Sequence, residues 1–332
     1  MITIFNQELI EQVKTAQNAH IIQPVQIGLT DHENELVFFI KPELFNVDDN
    51  DKILNSLQLI EEKFAEFQVV VNGVVILPGE ELAEHEIMNR HYGFINQLSR
   101  LASKMVTSET RQQIFEVLDF EDDGEYKILG GHEFLQTYSE DIDTLNAMWF
   151  GQDAKKLRSG FYFVPDKYKG DSIVLINGFH PSQLMHFTRK DHRILLMLIH
   201  TDADWYDLKF DLVGDTFPER ANPKSIRGQL YAKPKEYGQA EVGINTNGVH
   251  LSAGPFEAAF EVVNFFGDIL SLNIEKTPPL AIKRAVELGF DQSHALSLLD
   301  NPPVGESDLF SETENMNTLE AIQFAQEKVP GL

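Results

Sequence analysis

An α+β fold is the expectation for this chain, and three observations carry it. Short β-branched and aromatic runs of strand length alternate with amphipathic stretches of helical period. The 332 residues are 42% hydrophobic and include 24 phenylalanines, enough for a sizeable core. No internal repeat is present. By length the chain holds one large domain or two of roughly 150 residues each.

In chain order, "FNQELIEQVKTAQN" (5–18) spaces Phe5, Leu9, Ile10 and Val13 as a helix does. "ELVFFIKP" (35–42) reads as a buried strand ended by Pro42. "DKILNSLQLIEEKFAEF" (51–67) is an amphipathic helix, and the β-branched "QVVVNGVVILP" (68–78) a strand. Residues 79–104 read as helix again. The pattern then shifts to short helices, turns and strands, so 101–172 is expected to be an inserted subdomain. "RILLMLIHT" (193–201) is a strand, and 243–250 a further one. A helix over 254–266 opens with Gly-Pro, which suits a helix start. Residues 269–332 form a helical and acidic C-terminal extension with a last helix at 317–328.

Composition excludes several function classes. A formal charge of −25 argues against nucleic-acid binding, because phosphate backbones recruit basic surfaces. Any phosphate site must be a local cluster of Lys and Arg in an acidic body. The sequence has no cysteine, which excludes disulfides and thiolate metal sites and fits a reducing compartment. Residues 1–24 lack a basic region followed by an apolar run, and no stretch reaches the roughly 20 apolar residues of a membrane span. A cytoplasmic protein without membrane contact is expected.

The chemistry-bearing residues are scattered. There is no GxxxxGK and no GxGxxG loop. His186, His192 and His200 lack the spacing of a zinc helix motif, and "DFEDDGEY" lacks the length and final glutamate of an EF-hand. Asp202 and Asp204 around Ala203 have the chemistry to grip a cation, and an exposed turn explains them as well. Taken singly, Lys41 is a strand end, Arg227 a loop arginine, and His250 a structural histidine, a metal ligand or a nucleophile.

Taken in order, "FFIKP", "RHY", "GDTFPERANPKSIRG" and "NGVH" before a helix resemble the motifs of the nucleoside diphosphate kinase family. The resemblance covers about residues 35–98 and 175–266. The eleven-residue intervals from Thr216 to Arg227 and from His250 to Glu261 match the family's. It implies a ferredoxin-like α/β sandwich, a four-stranded antiparallel sheet with helices on one side. The family-like core would comprise 31–100 and 173–268, after an N-terminal helical extension over 1–30.

By the same resemblance, His250 is the phosphorylated nucleophile and Glu261 the carboxylate that orients it. Lys41 serves the ribose and terminal phosphate, with Tyr92 near it and the histidine. Thr216 and Arg227 bind phosphates, Asn247 the ribose, and Phe179 and Ile244 the two faces of the base. ATP and nucleoside diphosphates would be the substrates, Mg²⁺ would arrive on the nucleotide, and the chain would form a homo-oligomer.

The chemistry is coherent in itself. An imidazole is part-neutral near pH 7 and nucleophilic, a carboxylate fixes its tautomer, and lysine and arginine neutralise phosphate charge.

The sequence also departs from the family. Phe210 stands at a phosphate arginine, with Lys209 beside it and expected on the opposite face of a strand. Ala253 replaces an aspartate of the loop after the histidine, and "KPEL" replaces K-P-D-[GA]. Arg100, Arg158, Arg193 and Arg220 are candidate substitutes for the lost arginine. The alternative reading is a nucleotide-binding regulatory or scaffold protein that keeps the pocket with weak catalysis.

Overall fold

The computed structural model describes residues 5–158 and 160–329. They divide into two compact units, one running to Glu84 and resuming at Lys190, the other His85–Arg189. None of the described helices is long and apolar enough to cross a membrane.

The first unit is built on five strands: β1 (His20–Gln23), β2 (Asn34–Ile40), β3 (Val70–Pro78), β4 (Arg193–Thr201) and β5 (Val249–Leu251). Their order across the sheet is β1-β3-β4-β2-β5, and every neighbouring pair is antiparallel. The register sets Phe39 opposite His250 and Ile40 opposite Val249. Every residue of β2 and β4 is buried, so these strands are covered on both faces. That explains why they read as unbroken apolar runs rather than as an alternation.

Helices α1 (Gln7–Thr15), α2 (Asn50–Glu66), α3 (Ile226–Ala232) and α4 (Pro255–Leu270) supply the cover. Side chains alternate across a strand, and the even-numbered Leu36, Phe38 and Ile40 share a core with Leu9 and Ile10 of α1 and Ile53, Leu57 and Ile60 of α2. The odd-numbered face meets α4, where the rings of Phe39 and Phe265 lie 5.5 Å apart. Helices therefore lie on both faces, not on one side as the sequence suggested. Two further expectations are corrected here. The N-terminal 1–30 stretch contributes strand β1 besides its helix. In 243–250 only the last residues pair as strand, because Ile244–Thr246 is a 3₁₀ turn and Gly248 has φ +85°.

The C-terminal residues form the helices Leu280–Glu287, Gln292–Ser297, Leu309–Glu312 and Thr318–Lys328. They bury Ala281, Ile282, Leu309 and Ile322 with Phe256 and Ala259 of α4.

The second unit has its own four-stranded sheet, in the order Lys127–Gly130, Asp171–Ile176, Phe161–Tyr168 and Lys155–Arg158. The first pair is parallel and the others antiparallel. Leu98, Ile114, Phe161 and Phe163 fill one side and Phe134, Leu145, Trp149 and Leu175 the other. This unit is wider than the expected insertion at 101–172. The reason is local: the helix expected over 79–104 breaks at Glu86, whose backbone is left-handed, into Gly79–Glu84, Ile87–His91 and Gly93–Met105.

Candidate active site

His250 lies on β5 with its ring stacked on Phe39 of β2, centroids 4.4 Å apart and planes 16° from parallel. Its Nε2 is 2.7 Å from Oε1 of Glu261, which lies on α4 and is fully buried. The Ser252 hydroxyl donates to the other Glu261 oxygen and accepts from the Val37 N–H at 2.9 Å. Both carboxylate oxygens are thus engaged, and the imidazole is held in one orientation. The His250 side chain keeps 18% of its surface exposed, so it is accessible as well as ordered.

Ser252 was not singled out from sequence. The available signal was its position two residues after His250, which in extended chain puts both side chains on one face.

Lys41 follows directly on β2, and its N–H donates to the Gly248 carbonyl at 2.9 Å. Its Nζ donates to Asn247 Oδ1 at 2.6 Å, and Asn247 Nδ2 donates to the Thr216 carbonyl at 3.2 Å. Lys41 and Asn247 are both buried. Burial lowers the Lys41 ammonium to about 8; Glu43 opposes that shift and Arg227 adds to it. Glu43, a residue by which "KPEL" departs from the family pattern, is buried and accepts the Gly248 N–H at 2.8 Å. Gly248 is required here: beyond its positive φ, a Cβ would stand 2.4 Å from Leu230 Cδ1.

Arg227 lies in the first turn of α3 and spans two segments. Its Nη1 donates to the Gly214 carbonyl and its Nη2 to the Val249 carbonyl, each at 2.9 Å. The phosphate-loop arginine expected from sequence thus ties that loop to the histidine's strand. Gly228 permits this turn, because a Cβ would fall 2.0 Å from the Asn222 carbonyl oxygen. Thr216 and Ile244 are exposed on their loops.

Tyr92 and Phe179 belong to the other unit. The Tyr92 ring meets His180 at 5.7 Å and Phe187 at 6.1 Å. Phe179 is half-buried against Trp149 and Tyr162 at 5.6 and 6.0 Å.

Lys209 and Phe210 lie in a π-helical stretch, Leu208–Val213, rather than on a strand. Of the candidate substitute arginines, Arg193 donates to the carbonyls of Ala16 and Lys190, and Arg220 lies 4.6 Å over the Phe217 ring. Arg100 and Arg158 are in the second unit, bonded to Asn96 and set over Phe94 respectively. Asp202 accepts from the Glu33 N–H, and Asp204 caps the turn at Tyr206.

No known protein-family profile and no curated protein matches this chain. Two solved structures similar to it are nucleoside diphosphate kinases. That of Encephalitozoon cuniculi, in its apo cubic form, is 13% identical over 71% of this chain and 90% of its own, with a TM-score of 0.34. That of Pyrobaculum aerophilum is 15% identical over 72% of this chain and 99% of its own, again with a TM-score of 0.34. At that score the likeness carries no weight for site or reaction, which rest on the geometry above.

Proposed function

We propose that this chain transfers the terminal phosphate of a nucleoside triphosphate to a nucleoside diphosphate through a phosphohistidine on His250. One observation carries the reading: Nε2 of a solvent-reachable histidine is fixed at 2.7 Å by a fully buried carboxylate, Glu261. That bond directs attack to Nδ1. The Nδ1 lone pair forms a bond to the γ-phosphorus while the bond from that phosphorus to the β,γ-bridging oxygen breaks, and the diphosphate leaves. Glu261 stabilises the positive charge that develops on the ring. A terminal phosphate oxygen of the second diphosphate then attacks the phosphorus, the N–P bond breaks, and His250 is restored.

Lys41 and Asn247 are offered to the nucleotide's phosphate and sugar hydroxyl. Mg²⁺ enters as part of the nucleotide substrate. The order of the four longest-separated strands, with β2 and β3 flanking β4 and β5 outside β2, supports a ferredoxin-like reading of the sheet.

One observation favours the second reading, a nucleotide-binding protein with weak turnover: each Nη group of Arg227 already donates to a main-chain carbonyl. Incubation with γ-labelled ATP separates the two. The transfer reading expects an acid-labile, alkali-stable label on the protein, absent in His250→Ala and chased by GDP. An unlabelled wild type that still binds ATP supports the second reading and ends the first.

A further inference from the structure

Within the first unit, Lys41, Arg227 and Lys209 all lie on segments that touch β5. Lys41 donates to the Asn247 amide oxygen and feels the Glu43 carboxylate, and Arg227 donates to two carbonyls. Lys209 differs, because its ammonium is paired with the carboxylate of Glu314 from the C-terminal region. A carboxylate and a phosphate are both oxyanions, so this pair is of the kind a phosphate can exchange into.

The pair is held close to the nucleophile from both sides. The indole N–H of Trp205, at the head of the turn that carries Lys209, donates to the Ser252 carbonyl at 3.1 Å. Ser252 is the residue that bonds Glu261. On the other side the Asn315 N–H donates to the Ala253 carbonyl at 2.9 Å. A Cβ on Gly254 would stand 2.6 Å from the Thr313 carbonyl oxygen. The residues around Glu314 therefore lie across the loop that follows His250. Thr313 is fully buried, whereas the Lys209 and Glu314 side chains are 25% and 45% exposed. The backbone is thus anchored while the charged ends stay within reach of a ligand. The nearby Glu257 is pushed up to about 8 by burial and by Glu261 and Glu314, so at neutral pH it adds little negative charge against an incoming phosphate.

We infer that Lys209 is a second phosphate-binding cation for the nucleotide, and that Glu314 occupies it until a phosphate displaces the carboxylate. This rests on the phosphotransfer reading of the site. The C-terminal region then acts as a competitor for the phosphate subsite.

The test is a double-mutant cycle on the full chain, with binding of inorganic pyrophosphate and of Mg-ATP measured by calorimetry for wild type, Lys209→Gln, Glu314→Gln and the double variant. Thermal melting confirms that each variant is folded. Glu314→Gln should tighten binding about 3- to 10-fold, Lys209→Gln should weaken it about 10-fold, and the double variant should match Lys209→Gln. If Glu314→Gln leaves the dissociation constants unchanged, or acts equally with Lys209 absent, the inference is overturned. Binding of pyrophosphate needs no turnover. A coupled cycle without phosphohistidine would sink the transfer reading and leave this one, while a labelled His250 with an uncoupled cycle would do the reverse.

Discussion

Two of the histidine–carboxylate pairs among the described residues of the first unit, His250 with Glu261 and His200 with Glu35, have a fully or almost fully buried carboxylate, and they differ in how much bonding capacity the fold has consumed. His200 on β4 is fully buried; its Nε2 is 3.0 Å from Glu35 and its Nδ1 3.0 Å from the Asn72 amide. Glu35 in turn accepts the N–H groups of Gly28 at 2.7 Å and Leu280 at 2.8 Å. That pair ties the sheet to the C-terminal helices. His250 shares the same local chemistry, yet its ring reaches solvent and its carboxylate is steadied by a serine rather than by distant backbone. A histidine–carboxylate contact alone therefore does not mark a nucleophile, and neither does exposure, since His32 and His294 pair with exposed carboxylates. Under the proposed reading it is the union of an accessible ring with a fully buried carboxylate that sets His250 apart.

The sharpest way to break this contrast is to remove each ring. His250→Ala should cut phosphate transfer by at least about 10³-fold, on the order of 4 kcal/mol of barrier, with little change in unfolding midpoint. His200→Ala should cost about 3 kcal/mol of stability, since Glu35 loses a buried partner, with turnover per folded molecule near wild type. Denaturant unfolding and labelling on the same samples decide; a folded His200→Ala without transfer would erase the distinction.

Next in size, Glu261→Gln should lower turnover about 10²-fold while phosphohistidine still forms slowly, as for loss of one preorganised electrostatic partner. Glu35→Gln should instead appear as lost stability. Rapid-quench labelling beside thermal melting reads both.

A smaller effect follows from Lys41. Its charged form is needed to meet phosphate, and its folded value of about 8 lies below the ordinary 10.5. ATP affinity should therefore fall as pH rises through 8, by about tenfold per unit well above it. Lys41→Arg, which stays charged, should flatten that limb in a titration followed by calorimetry.

The smallest concerns Glu257. Its folded value, raised from 4.5 to about 8, means the folded chain holds a proton that the unfolded chain releases between those values. Its contribution to stability is full below about 4.5 and is lost as pH rises through 8. Glu257→Gln should reduce that slope in denaturation curves recorded across the interval.

Much of this was legible in the sequence where the signal is local. The apolar runs at β2 and β4 announced buried strands, and Gly254-Pro255 announced the start of α4. The link from His250 to Glu261 was expected only through the resemblance, whose eleven-residue interval it matches, and the two side chains do meet. What was illegible depends on distant chain. Phe179 packs on Trp149, and nothing near it in sequence shows that. The break at Glu86 places a non-glycine residue in a left-handed conformation, against its own preference. The strand expected at 243–250 failed because Asn247-Gly248 turns the chain just before His250. Lys209 was placed on a strand only through the resemblance, beside Phe210 at the family's arginine, whereas Leu208–Val213 is π-helical.

The two outer strands of the main sheet also constrain how copies of this chain can meet. β1 has four residues and β5 three, beside inner strands of seven to nine. A border so short presents only a bond or two to a neighbouring backbone, and the Lys209 turn already packs against β5. Sheet-to-sheet continuation between molecules is thus disfavoured at its source. Under the proposed reading, a homo-oligomer is expected to assemble through helical faces and loops rather than through these two strand edges.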